Sequence, residues 1–95
     1  MHNTVTKEKL KKYFQVTGDA LKKVKSSPID DSRKENAEDF LDMAERYYSD
    51  AKHFYNKGEW VTAFAALNYA HGWLDAGARI GLFKVKDSKL FTVDD

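Results

Sequence analysis

Between Trp60 and Phe83 the chain carries only two charged side chains, Asp75 and Arg79. Placed at about 100° per residue on a helix, Tyr69, Trp73, Ile80 and, more loosely, Ala76 and Phe83 line one apolar face. Ala63, Ala66, Ala70, Gly77 and Gly81 form a seam of small side chains beside it. The two faces together span about 200°, where an ordinary amphipathic helix needs a stripe of little more than about 100°. Such a rod needs more cover than one neighbouring helix supplies. The rest must come from other parts of the chain or from a second copy. The small-residue seam lets a neighbouring backbone come close, where large side chains hold helix axes about 10 Å apart. Glycine inside a helix costs about 1 kcal/mol relative to alanine, so Gly72, Gly77 and Gly81 call for a packing or binding reason. The window is long enough to span a membrane. Asp75 and Arg79 would each cost about 3 kcal/mol at mid-bilayer, however, and it reads as a buried helix of a soluble protein.

Two further helical segments precede it. Thr6 is placed to cap the first, with Val5 and Leu10 at the spacing of a hydrophobic staple. Its apolar positions, Leu10, Tyr13, Phe14, Thr17, Leu21 and Val24, fall on one face. Ser26-Ser27-Pro28 ends it, because the residue before a proline is pushed out of the helical region. Gly18 marks the place where this helix is expected to bend. The second opens on Ser32-Arg33-Lys34-Glu35, which reads as a capping box, and carries a stripe from Ala37 through Phe40, Leu41, Ala44, Tyr47, Tyr48 and Ala51 to Phe54 and Tyr55. Asn56-Lys57-Gly58 supplies a C-terminal cap with glycine at the left-handed position, and the next helix begins at once. Segments two and three therefore fold back as an antiparallel hairpin. The pattern predicts an all-α chain with helices at about 6–26, 32–57 and 59–82, followed by an extended tail over 84–95 in which Val85, Leu90, Phe91 and Val93 pack while Asp94 and Asp95 stay in water. With 95 residues, 42% of them hydrophobic and thirteen aromatic, there is material for one core and one domain, 1–95.

The absence of cysteine excludes a disulfide framework, a thiolate nucleophile and a cysteine-based metal site. Net charge is +1, but it is unevenly placed: +5 over residues 1–27, −4 over 28–59 and balanced beyond. Opposite charge favours adjacency of the first two helices. The lysines read as a solvated face. The sharper reading is a nucleic-acid footprint, weakened by the lack of arginine and by Tyr13 and Phe14 lying on the core side. Residues 1–7 lack the apolar stretch of a signal peptide, so the expected location is cytoplasmic.

Asn68, His71, Asp75 and Arg79 form the one polar stripe of the third helix. They read as a ladder of bonds at i,i+3 and i,i+4 spacing, or else as the wall of a shallow groove for a small anion or a peptide. Asp50 with His53 and His71 with Asp75 have the spacing of paired metal ligands. The two histidines lie about 12 Å apart along the hairpin, however, so no shared ion, and no metal or other cofactor, is expected. Arg46 and His53 match the Arg-x4–6-His signature of the HEPN family of helical RNases, a loose spacing carried here on the first arm of the hairpin. Catalytic residues are therefore not assigned.

The run Tyr47-Tyr48-Ser49-Asp50-Ala51, Phe54-Tyr55, Lys57-Gly58, Ala63-Phe64-Ala65-Ala66-Leu67, Tyr69-Ala70-His71-Gly72-Trp73-Leu74-Asp75-Ala76-Gly77 and Gly81-Leu82-Phe83 resembles the short archaeal family known as domain of unknown function 357. The resemblance covers about residues 8–83. It implies a three-helix up-and-down bundle, no assigned reaction, and an association with nucleotidyltransferase-like proteins that would suit an accessory domain. The resulting expectation is a non-catalytic helical interaction or ligand-binding module that self-associates as a dimer through Tyr69, Trp73 and Ile80, with no membrane or nucleic-acid partner. The alternatives are an RNA-binding or HEPN-like RNase module and the accessory domain.

Overall fold

The computed structural model describes residues 5–91, and the tail positions Val93, Asp94 and Asp95 lie outside them. Three helices follow in order: α1 (Lys7–Lys25), α2 (Lys34–Asn56) and α3 (Trp60–Arg79). Among the described residues they form an all-α three-helix bundle with no strand. Thr6 caps α1, its side chain accepting from the Lys9 amide at 3.1 Å. Val5 and Leu10 join the same apolar cluster, as a staple requires. α1 runs unbroken through Gly18.

The start of α2 differs from the expected capping box. The Asp30 carboxylate accepts from the Ser32 amide and hydroxyl, at 3.0 and 2.7 Å, and from Arg33 Nε at 2.8 Å. Ser32 is thus bonded backwards, a 3-10 turn spans Asp31–Arg33, and α2 begins at Lys34 without a side-chain cap. The three hydrogen bonds, from the Ser32 hydroxyl first, then Arg33, then the Ser32 amide, hold the Asp30 carboxyl down at about 2.

Both ends of the hairpin close in the same way. At the end of α2, Gly58 takes φ 78°, its amide donates to the Tyr55 carbonyl at 3.0 Å, and the Glu59 amide reaches the Phe54 carbonyl at 2.9 Å. At the end of α3, Gly81 takes φ 79°, donates to the Ala78 carbonyl at 3.2 Å, and the Leu82 amide reaches the Gly77 carbonyl at 2.8 Å. These paired bonds are Schellman motifs. The second stops α3 at Arg79, so Ile80, Gly81 and Leu82 lie beyond the helix that the periodicity extended to 82.

α2 and α3 pack most intimately, and the reason is legible in their sequences. Ala37, Ala44 and Ala51 recur every seven residues on α2, and Ala63, Ala70 and Gly77 do so on α3; all six are buried. Small side chains on both sides let two helices approach more closely than large ones do. α1 packs more closely on α3 than on α2; Lys25 and Glu45, 2.7 Å apart, make a direct ion pair between the oppositely charged α1 and α2.

The chain after α3 is fastened to the α1–α2 connection. Ile29 and Phe83 form an antiparallel bridge, with Asp30 N donating to Leu82 O at 3.0 Å and Lys84 N to Pro28 O at 2.9 Å. Arg33 adds a bond to the Ile80 carbonyl at 2.8 Å. Phe83, Val85 and Phe91 are buried, and Leu90 is half-buried against the same core. The tail thus supplies part of the cover that α3 needs.

Candidate functional site

Cover from α1, α2 and the tail is incomplete. Along its outer side α3 exposes Val61, Ala65, Asn68, Tyr69, Gly72 and Ala76, and Ile80 continues the line past its end. Tyr69 is 62% and Ile80 51% exposed. Tyr69 stacks on Tyr47, centroids 5.2 Å apart, and Trp73 sets its half-buried ring edge-on to Phe40 at 4.9 Å. These aromatic pairs wall a shallow recess of about 400 Å³ with Gly72 and Ala76 at its base. A Cβ added to Gly72 would meet nothing within 4 Å. The other α3 glycine differs: at Gly77 it would strike the Phe83 ring.

The polar stripe divides. Asn68, His71 and Asp75 line a smaller recess of about 260 Å³ between α1 and α3, together with Tyr13 and Val16; Arg79, exposed, is not part of it. His71 is held from two other elements. Its Nε2 lies 2.7 Å from the Leu90 carbonyl, which can only accept, so that nitrogen carries the proton. In the neutral ring Nδ1 then accepts from the hydroxyl of Thr17, a buried polar side chain of the α1 core face, at 3.3 Å. The Phe91 ring stacks over the imidazole at 6.4 Å. His71 therefore pins the tail to the bundle. Tyr13, expected on the core side, is 36% exposed and meets Phe64 edge-on at 4.8 Å.

A third place was not anticipated from the sequence. An open groove of about 520 Å³ runs between α1 and α2. Its floor is aromatic: Phe14 meets Tyr48 at 5.9 Å and Tyr55 at 5.6 Å, both edge-on. Lys11 and Lys22 rise on the α1 side and Lys52 on the α2 side, with Nζ of Lys52 4.8 Å above the Tyr48 ring. The Tyr48 hydroxyl donates to the Phe14 carbonyl at 3.3 Å and sits where a side chain on Gly18 would stand, 2.8 Å from the position of its Cβ. Burial, and secondarily the charge of Asp19, raises the Tyr48 phenol above its usual value. The α1 stripe Lys11, Gln15, Gly18, Lys22 and the α2 stripe Tyr48, Lys52, Tyr55 each have helical spacing; only their juxtaposition is tertiary.

The remaining pairs stay apart from these recesses. Arg46 Nε pairs with Asp42 at 2.9 Å on the exposed face of α2, and His53, also exposed, lies edge-on to Phe54. Among the described residues no three His, Asp or Glu side chains gather as a metal site, and no helix is long and apolar enough to cross a membrane.

No curated protein and no solved structure matches the chain. A family described as protein of unknown function, DUF357, matches it over residues 12–83, from the first turns of α1 to the buried Phe83. That span takes in the hairpin, both Schellman turns, the recess around Gly72 and the α1–α2 groove apart from Lys11, and by this match the chain belongs to the DUF357 family.

Proposed function

We propose that the protein acts by binding rather than by catalysis, as a helical module whose outer α3 face docks on the same face of a second copy. Gly72 carries this reading. It stands mid-helix and open to solvent, at a cost of about 1 kcal/mol relative to alanine, and nothing among the described residues requires it to be glycine. A partner backbone or ring brought against the base of the recess would require it. The aromatic walls supply the kind of side chain in which interface cores are enriched.

Charge favours a second copy over other occupants. A two-fold contact sets a surface patch against itself, so like charges on it repel. The segment containing α1 is strongly positive and that containing α2 strongly negative, whereas the exposed residues of α3 from Val61 to Ala76 are uncharged and Arg79 is the one exposed charge of the helix. Of the helix faces, this one sets the least like charge against its own copy. Light scattering on a concentration series tests the reading: the expected result is a dimer that the exposed double substitution Tyr69→Lys, Ile80→Lys converts to a monomer of unchanged helicity. A wild-type monomer at the highest concentrations, or a dimer indifferent to those substitutions, would sink it.

A further inference from the structure

We infer that the groove between α1 and α2 is a binding site for a small organic anion with a flat aromatic body. The inference is independent of the α3 face. Its first ground is shape: a volume of about 520 Å³ falls within the range of roughly 300–1,000 Å³ usual for small-molecule sites. The second is the chemistry of the lining. Phe14, Tyr48 and Tyr55 offer an aromatic floor, against which a planar ring system is placed by edge-to-face or offset stacking.

The third ground is charge. Lys11, Lys22 and Lys52 border this floor against a single carboxylate, Asp19, and none of the three lysines has a carboxylate partner within salt-bridge distance among the described residues. Of the other α1 lysines, Lys23 pairs with Asp87, Lys25 with Glu45, and Lys9 lies over the Phe64 ring. Lys11 and Lys22 lie about 16 Å apart along α1 by helical rise, with Lys52 facing the stretch between them. Lysines therefore border the aromatic floor from both helices, where they can meet an anionic substituent on a ring bound there. Lysine binds phosphate and carboxylate as a point charge on a flexible stem, which suits a site on which the structure imposes no single anion geometry. Gly18 completes the arrangement, because only a residue without a side chain leaves the Tyr48 hydroxyl its place against α1.

The test is a titration of the full, nitrogen-15-labelled chain with 1-naphthyl phosphate, 1-naphthol and inorganic phosphate, followed by amide chemical shifts. Saturable shifts centred on Gln15, Gly18, Lys52 and Asn56 are expected with 1-naphthyl phosphate, with binding at least about tenfold weaker for either half of the molecule alone. The double substitution Lys22→Glu, Lys52→Glu, at two exposed positions, is expected to weaken the naphthyl phosphate by about tenfold or more while leaving shifts around Leu74 and Phe83 unchanged. Equal binding of inorganic phosphate would reduce the groove to a cationic patch, and equal binding of naphthol to an apolar crevice; either overturns the inference. So would shifts centred on Tyr69 and Trp73 instead. A ten-nucleotide single strand that binds more tightly than the naphthyl phosphate, with a steep dependence on salt, would assign the groove to nucleic acid and overturn it as well.

Discussion

The ring of Phe83 occupies the space that a side chain on Gly77 would fill: its Cδ2 lies 2.6 Å from the position of a Cβ there. The chain thus returns from the Gly81 turn directly onto the last turns of α3, and the two amides that follow the turn, Leu82 and Phe83, both bond the Gly77 carbonyl. Gly77→Ala forces this buried ring outward. Overpacking of that kind costs about 1–3 kcal/mol, partly offset by the roughly 1 kcal/mol gain in helix propensity. The expected net effect is a lower Tm, together with faster amide exchange from Leu82 to Val85.

Gly72→Ala is expected to act in the opposite direction. The site is open, the backbone is helical and alanine fits, so the isolated chain gains up to about 1 kcal/mol in chemical unfolding of dilute protein. The bulkier Gly72→Leu is expected to leave the monomer folded and to abolish association, a separation of fold from interface that Gly77 does not permit.

His71 is the point at which α1, α3 and the tail meet. Replacing it with leucine removes both hydrogen bonds at once and leaves the Thr17 hydroxyl buried without its partner. A stability loss of about 1–3 kcal/mol is expected. Because Leu90 loses its tie, limited proteolysis is expected to remove the segment after Val85 before it cuts the hairpin. Retention of native-like protection in the tail would contradict the pinning role.

Acid stability should register Asp30. Its carboxyl is held at about 2 when folded, against an ordinary value near 3.8, so the folded state favours the ionised form. Stabilisation from this group is complete above about pH 5 and is lost progressively as pH falls through the folded value. The substitution Asp30→Asn is expected to flatten the pH dependence of unfolding across that window and to leave the slope above pH 5 unchanged.

Local punctuation was readable. Thr6, Pro28 and Gly58 bound their elements as their chemistry demands, because each acts through neighbours within a few residues. Gly81 ends α3 although the apolar period runs on through Ile80 and Leu82, because periodicity reports which side faces the core and not the handedness of a turn. Ser32 and Glu35 fit a capping box by spacing, but Asp30, two residues earlier, competes more strongly for the same Ser32 donors. The partners of His71 could not be read at all, since Leu90 lies in a tail without period and Thr17 lies fifty-four residues away. Phe14 faces inward as the apolar stripe of α1 predicts, yet the groove it floors forms only where Tyr48 and Tyr55 of α2 come against it, a juxtaposition that no spacing within either helix encodes.

The outer face of α3 is tested most directly by mixing isotope-labelled and unlabelled copies and recording nuclear Overhauser contacts between them. Cross-peaks are expected from the Gly72 α-protons of one copy to the Tyr69 or Trp73 ring of the other. Their absence, in a sample that sediments as a monomer at the same concentration, would show that the face meets no second copy.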